Sequence, residues 1–567
     1  MLSIPTHKLR ELIIAEGLIE PAVFDAIVEE TDRLGQNVAD TLITKNIIDI
    51  AYYSNLLSRY LDVPLANLGN RAIDTNILHL LPEDMARQKS VIVFGKEVDG
   101  AISAAMEDPS DLANIEFLER YFHERISPYI ALEGDLSKGF ALYSKETARD
   151  YEKLLKENIA ASLKSKSKGE EAASEVPIVA IVDNIISYAI SLHASDIHLE
   201  IFESFILIRY RIDGILREIF QVPRDIHPAV VARIKLLGGL KIDEHAKPQD
   251  GRFRYQVGNE VIDMRVAAMP TFYGEKIVMR LLPSTNKPVS LEELGMFSDI
   301  ADVLKANIQK SYGLVLVTGP TGSGKTTTLY SLLHILNKSE VNIVTIEDPI
   351  EYDMKYVNQS QINTAAGITF SSGLRQFLRQ DPDIIMVGEI RDGETASIAV
   401  QAALTGHLVL STLHTNDAPT AVPRFLDLGV PPFLLSAVLN VILAQRLVRK
   451  VCQDCIYSYA PTEDLIASIE KQIHEMGIID FEMPRLVFAG KGCDVCGGSG
   501  YRGRLGIYEV LNVDTDIRSA ILDKNVSIES LRNSMRAKGA VTMFQDGLRK
   551  VAQGLTTIEE VLRVIRE

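Results

Sequence analysis

Residues 314–327 read Leu314-Val-Leu-Val-Thr318-Gly319-Pro320-Thr321-Gly322-Ser323-Gly324-Lys325-Thr326-Thr327. The apolar run predicts a buried strand, and the stretch from Thr327 to Leu336 predicts a helix. Between them stands GxxxxGK[ST], the P-loop pattern, with no departure from it. Glycines at 319, 322 and 324 allow the tight backbone that turns successive N–H groups towards a phosphate chain. Residues Gly319 to Thr327 are therefore the expected nucleotide-binding loop. Lys325 is placed to reach the β- and γ-phosphates, and the Thr326 hydroxyl to ligate Mg²⁺. The reading is a nucleoside triphosphate site.

Downstream, Asn342–Ile346, Ile384–Val387 and Leu408–Thr412 are near-continuous apolar runs between helical stretches, the pattern of a parallel sheet covered on both faces. Each run ends in chemistry. Ile346-Glu347-Asp348-Pro-Ile-Glu351-Tyr352 sets three carboxylates beside the expected phosphate site, and Ile384-Ile-Met-Val-Gly388-Glu389-Ile-Arg391-Asp392 ends in Glu389. Hydrolysis needs a carboxylate near Mg²⁺ and another group to orient or deprotonate water. Glu389 fits the second role. Gly388 stands where an Asp would usually hold the metal, so Glu347 and Glu351 are expected to help there. His407 and His414 flank the next strand, and His414, followed by Thr-Asn, is the candidate to report on the γ-phosphate.

Four cysteines form two CxxC pairs, Cys452/Cys455 and Cys493/Cys496, bracketing 37 residues. Two such knuckles predict one tetrahedral, structural Zn²⁺ with no open position. The net charge of −17 argues against a general nucleic-acid binder. No apolar run reaches the length of a membrane span, and the N-terminus lacks a secretory pattern. Leu9–Ile19 and Val38–Ile48 form a weak helical repeat, and Asn67–Tyr143 reads as mixed α/β with a strand at Val91–Phe94. Lys164–Glu175 is polar and charged, the composition of a linker. From Val176 an apolar helix, Ile178–Leu192, leads into alternating strand patterns at Ile206–Ile212, Phe253–Val257 and Val261–Val266. A helical tail runs from Ile517 to the end.

The boxes Gly319–Thr327, Thr345–Tyr352, Asp383–Asp392 and Thr405–Asn416 closely resemble the secretion ATPase superfamily of type IV pilus assembly (PilB-like) and type II secretion (GspE-like) motors. The resemblance continues upstream through Ser195-Asp-Ile-His198, Asp213-Gly214, Gln249-Asp-Gly-Arg252 and the segments around Arg265 and Arg280. Downstream it takes in the four cysteines and Gly500-Tyr-Arg-Gly-Arg-Leu-Gly-Ile-Tyr-Glu509. It implies an ATP-hydrolysing homohexamer on the cytoplasmic face of the inner membrane, bound there through platform partners. It also implies an α/β multidomain fold: an N-terminal helical and α/β docking domain (1–160), a linker (161–176), a PAS-like α+β middle domain (177–288) and a RecA-like ATPase domain (289–567). The last carries the zinc module at about 450–500. Arginines of the middle domain then reach the phosphates, with Arg265 and Arg280 as first candidates and Arg211 and Arg252 behind them.

Retraction ATPases of this family usually lack both the long N-terminal region and the cysteine module, so an assembly or secretion motor is expected, with assembly preferred. Related N-terminal domains in some members bind cyclic di-GMP through RLG-type repeats. Here Arg33-Leu-Gly35 is the one such triplet in that region, and the first repeat reads Lys8-Leu-Arg10, which favours plain partner docking. Two other classes compete: a non-hydrolysing nucleotide-binding scaffold, opposed by intact Lys325, Thr326, Glu389 and His414, and a nucleic-acid motor, opposed by the acidic balance.

Overall fold

The structure, a computed structural model, describes residues 4–566 except 17, 35–37, 40–41, 43–46, 49, 69–70, 72, 132–134, 137, 141, 144–152, 162–170, 258–259, 284–289, 464–465, 468, 471–485, 494 and 524–526. It falls into two compact units: Met1–Asn158 with Cys493–Gly498, and Ile159–Gly492 with Ser499–Glu567.

In the first unit, helices Thr6–Ala15, Pro21–Leu34 and Ile50–Leu61 bury Leu9, Ile13, Phe24, Ile27 and Leu56 together. The second copy of the expected repeat, Val38–Ile48, lies largely outside the described residues. The mixed region is a three-stranded sheet of β1 (Val91–Lys96), β2 (Ile102–Met106) and β3 (Ile126–Ile130), with β1 antiparallel and β3 parallel to β2. The β-branched run at Val91–Val93 is fully buried although β1 lies at the sheet edge, the central place being taken by β2.

The second unit opens with helix Glu171–Ser191. Its start overlaps the expected linker, so the linker's last residues are helical; Ala172 and Ala173 there are strong helix formers. A six-stranded antiparallel sheet follows: β4 (Asp196–Ile201), β5 (Phe205–Ile212), β6 (Ile215–Pro223), β7 (Gln249–Val257), β8 (Glu260–Thr271) and β9 (Gly274–Pro283), in the order β6-β5-β4-β9-β8-β7. The Tyr210 hydroxyl donates to the Ile185 carbonyl at 2.6 Å, fastening this sheet to the helix.

The next sheet carries the P-loop. Its strands are β10 (Gly313–Thr318), β11 (Ile343–Glu347), β12 (Val357–Gln361), β13 (Ile384–Val387), β14 (Leu408–Leu413), β15 (Leu439–Val451) and, after the hairpin partners β16 (Ile456–Tyr459) and β17 (Val487–Gly490), β18 (Tyr501–Asn512). The order is β12-β11-β13-β14-β10-β15-β18, with only β18 antiparallel to its neighbour. Every residue of β10, β11, β13 and β14 is buried, because helices cover both faces. The reversal of strand order at the C-terminal ends of β10, β13 and β11 is where α/β sheets place ligands. Four helices, Thr515–Leu522, Ile528–Ala537, Met543–Ala552 and Ile558–Arg566, form the tail. Among the described residues, no helix is long and apolar enough to cross a membrane.

Candidate nucleotide site

The loop after β10 has the backbone a phosphate cradle requires. Gly319 and Gly324 hold φ of +147° and +86°, and a Cβ on Gly319 would lie 2.4 Å from the Gln445 carbonyl oxygen. Only glycine fits there. Helix Lys325–Leu336 starts directly from Gly324, so its unpaired N–H groups and positive end face the loop. Lys325 Nζ donates to the Gly319 and Pro320 carbonyls at 2.8 and 3.0 Å. Burial lowers the Lys325 ammonium from its ordinary range, and the nearby Glu389 charge works against that. Among the described residues, the buried hydroxyls of Thr318 and Ser323 have no hydrogen-bond partner. Two orphaned polar atoms beside such a loop are what a bound anion would relieve.

The acids divide sharply. Glu389, at the end of β13, is held by Arg391 at 2.7 Å and by His414 Nε2 at 3.3 Å. The hydrogen bond to Glu389 raises the Arg391 guanidinium further. A Cβ on Gly388 would come within 3.2 Å of the Ile346 carbonyl oxygen and 3.4 Å of Glu347 Cα. The close approach of β11 leaves little room for a side chain at 388. His407 is a structural residue, its Nδ1 2.9 Å from the Ala402 carbonyl at a helix end.

Glu347 lies in the core rather than in the open site. Its carboxylate accepts from Thr345 Oγ1 at 2.5 Å, from Gln359 Nε2 at 3.2 Å, and from the Tyr330 hydroxyl on the P-loop helix. Burial raises its carboxyl above the ordinary range, with those bonds opposing. Glu351 faces the six-stranded antiparallel sheet instead, 3.6 Å from Arg265.

Register across that sheet brings the arginines into one line. Arg252 pairs with Arg265, Arg265 with Arg280, Arg280 with Asp196, and Asp196 with Arg211. Residues directly opposite on neighbouring strands share a face, so four guanidinium groups and one carboxylate form a row across β7-β8-β9-β4-β5. Asp196, 5% exposed, accepts from Arg280 Nε at 2.9 Å and lies 3.5 Å from Arg211 Nε. Arg252, Arg265, Arg280 and Asp196 line an open groove whose other wall is Asp348 and Pro349. Burial lowers the Arg265 guanidinium somewhat, Glu351 opposing. The wall opposite the arginines follows β11, the strand whose end carries Glu347, and a row of guanidinium groups on one side of a groove offers paired donors to an anion.

The profile described as "Type II/IV secretion system protein" matches residues 171–563. The chain belongs to that family. A second profile, the MshEN domain, matches residues 61–150, the stretch that contains β1–β3. Along its whole length the chain is 38% identical to the type IV pilus assembly ATPase PilB of Myxococcus xanthus, with 98% of each chain covered. It is 48% identical to the type II secretion system protein E of Pectobacterium carotovorum subsp. carotovorum, over 70% of this chain and 77% of that one. Among solved structures, the Yersinia pseudotuberculosis ATPase DotB aligns with TM-score 0.50 at 20% identity, covering 68% of this chain and 93% of that one, a likeness of fold.

The family member's four cysteine sulfurs all lie within 4.8 Å of one another. Gly492 N–H donates to Cys455 Sγ at 3.3 Å, and Cys493 N–H to Cys496 Sγ at 3.1 Å. Backbone donors aimed at sulfur favour thiolates, the form that binds a soft or borderline metal. Sequence patterns had named the loop, the acids and the histidines. They missed Arg391 as the partner of Glu389 and Asp196 as the anchor of two arginines. The signal for Asp196 was present in Ser195-Asp-Ile-His198, but its partners lie on strands far along the chain.

Proposed function

We propose that this chain is a motor ATPase that hydrolyses ATP to drive type IV pilus assembly. The observation that carries the choice of machine is the alignment of 98% of both chains with a type IV pilus assembly ATPase, against 70% of this chain with a type II secretion protein E. Pseudopilus assembly in type II secretion is the second reading, favoured by the higher local identity of 48%.

Residues Gly319 to Thr327 cradle the phosphates, with Lys325 neutralising charge and the Thr326 hydroxyl offered to Mg²⁺. Glu389 orients and deprotonates the attacking water; release from Arg391 and His414 makes its carboxylate available. Arg265 and Arg280 stabilise charge on the transferring phosphoryl group when their sheet closes on the nucleotide. Glu351 is released from Arg265 as that arginine turns to the nucleotide, coupling nucleotide state to the relation of the two domains. Glu347 supports the P-loop helix through Tyr330. The four cysteines hold a structural Zn²⁺. The working unit is a homohexamer at the cytoplasmic face of the membrane, held there by an inner-membrane platform protein through the first unit, which serves as a docking domain rather than a cyclic di-GMP receptor.

The test is Mg-ATP turnover by the full-length protein, wild type beside Glu389→Gln, with mass read by light scattering. Turnover abolished by the substitution and present in the hexamer supports the motor. Nucleotide binding without Glu389-dependent turnover, even in a confirmed hexamer, would overturn it in favour of a non-hydrolysing scaffold.

A further inference from the structure

Gln445 belongs to none of the nucleotide-binding boxes. It sits on β15, beside the P-loop strand β10, and its side chain is buried. Its Nε2 donates to the Ser323 carbonyl at 2.7 Å, and its Oε1 accepts from Thr328 Oγ1 at 2.8 Å. One side chain therefore grips the loop near its end and the helix in its first turn. Its own carbonyl is the wall that excludes a side chain from Gly319, and a Cβ on Gly324 would lie 3.2 Å from its Nε2. The loop is seated against this residue at three places.

The consequence follows from peptide geometry. In a planar trans peptide the carbonyl of one residue and the N–H of the next point in opposite directions. Holding the Ser323 carbonyl towards β15 turns the Gly324 N–H away from β15, into the concavity where a phosphate is cradled. We propose that Gln445 is a positioning residue for nucleotide binding: it fixes the Ser323–Gly324 peptide so that its N–H is already aimed at phosphate before nucleotide arrives. The reading rests on the ATPase function proposed above. It also explains why an amide is used. A carboxylate could accept from Thr328 but would set a second oxygen, and a negative charge, against the Ser323 carbonyl beside the phosphates. An apolar residue would leave a buried carbonyl and a buried hydroxyl unpaired. Because the grip acts on ground state and transition state alike, its loss raises KM more than it lowers kcat.

Gln445→Met tests this, since it keeps length and packing while removing both hydrogen bonds. In the full-length protein we expect the KM for MgATP and the Kd of a fluorescent ATP analogue to rise about tenfold, with kcat changed less than about threefold and Gln445→Glu at least as severe. The melting temperature without nucleotide reports whether each variant is folded. Should Gln445→Met fail to fold, Thr328→Val removes one arm alone and is expected to weaken the analogue about threefold. A folded Gln445→Met, or failing that Thr328→Val, that binds the analogue within twofold of wild type overturns the proposal, leaving Gln445 as core filler. A wild type that binds no nucleotide would overturn the ATPase reading and this proposal with it; a wild type turning over ATP beside an equally competent Gln445→Met sinks the positioning role alone.

Discussion

Five residues from five strands, Arg252, Arg265, Arg280, Asp196 and Arg211, stand in one line across the six-stranded antiparallel sheet. Like charges opposite one another repel, and the one built-in counter-charge, Asp196, serves Arg280 and Arg211. Arg265 finds its counter-charge in Glu351, across the groove. Arg265→Ala is expected to lower kcat/KM for MgATP on the order of a thousandfold, with Arg265→Lys recovering little because the planar fork is lost. Steady-state kinetics on folded variants check both, and an Arg265→Ala enzyme at wild-type efficiency would remove the arginine from the mechanism. Asp196→Asn should cost about tenfold through disorder of Arg280 and Arg211, read in the same assay. These roles were only half legible in the sequence. Lys325, Glu389 and His414 could be named because each sits in a local pattern at a strand end. The four arginines could be named only through the family resemblance, and their alignment in one row with Asp196 could not be read, because it is made by register between strands spread from Asp196 to Arg280. Glu347 misled for a related reason: a carboxylate at the end of a strand looks available, and only the packing of Tyr330 and Gln359 against it shows that it is not.

At the scale of elements, the last helix is a clasp. Arg446 donates to the Val564 carbonyl, and Arg449, stacked 4.0 Å over the Tyr501 ring, bonds Glu560 at 2.5 Å. Burial pushes the Glu560 carboxyl up, but hydrogen bonds from Arg449 and Arg563 outweigh it and bring it down to about 2. With the folded value below the unfolded one, Glu560 stabilises this clasp above the ordinary carboxylate range, and the contribution is lost as pH falls through about 2. Roughly 3 kcal/mol is involved. Protection factors for the amides of residues 558–566, taken relative to intrinsic exchange at each pH, are expected to fall between pH 5 and 2 in wild type, and Glu560→Gln to flatten that dependence while loosening the helix at pH 7. The cysteine knuckles make a second prediction. Removal of Zn²⁺ by a chelator should open cleavage sites within 452–500 before any in β10–β15; unchanged protease resistance there after confirmed metal loss would contradict a structural metal. The parallel strands β10, β11, β13 and β14 were readable from their apolar runs, whereas the polar edge strand β12 and the long β15 were not. The latter is read correctly only when β10 and β18 are known to flank it.

At the scale of the molecule, the net charge of −17 leaves the arginine row as a local exception. Duplex or single-stranded DNA is accordingly expected to leave ATP turnover unchanged within about twofold at moderate salt; a severalfold stimulation would revive a nucleic-acid motor. Fold class was legible because the P-loop, the apolar runs and the cysteine spacing are each local. The domain contacts were not, since they join residues as distant as Asp213 and Gly503, whose N–H bonds that carboxylate at 3.1 Å. The strand order has one more result. β10 lies between β14 and β15, and β15 is covered by β18, so the strand that carries the P-loop is translated well before the partners that close its second side. A message ending after β14 would leave Leu314–Val317 with a bare edge, a template for pairing with other chains. Nonsense changes late in the gene should therefore deplete the protein through aggregation and proteolysis, rather than yield a soluble enzyme that has merely lost its tail.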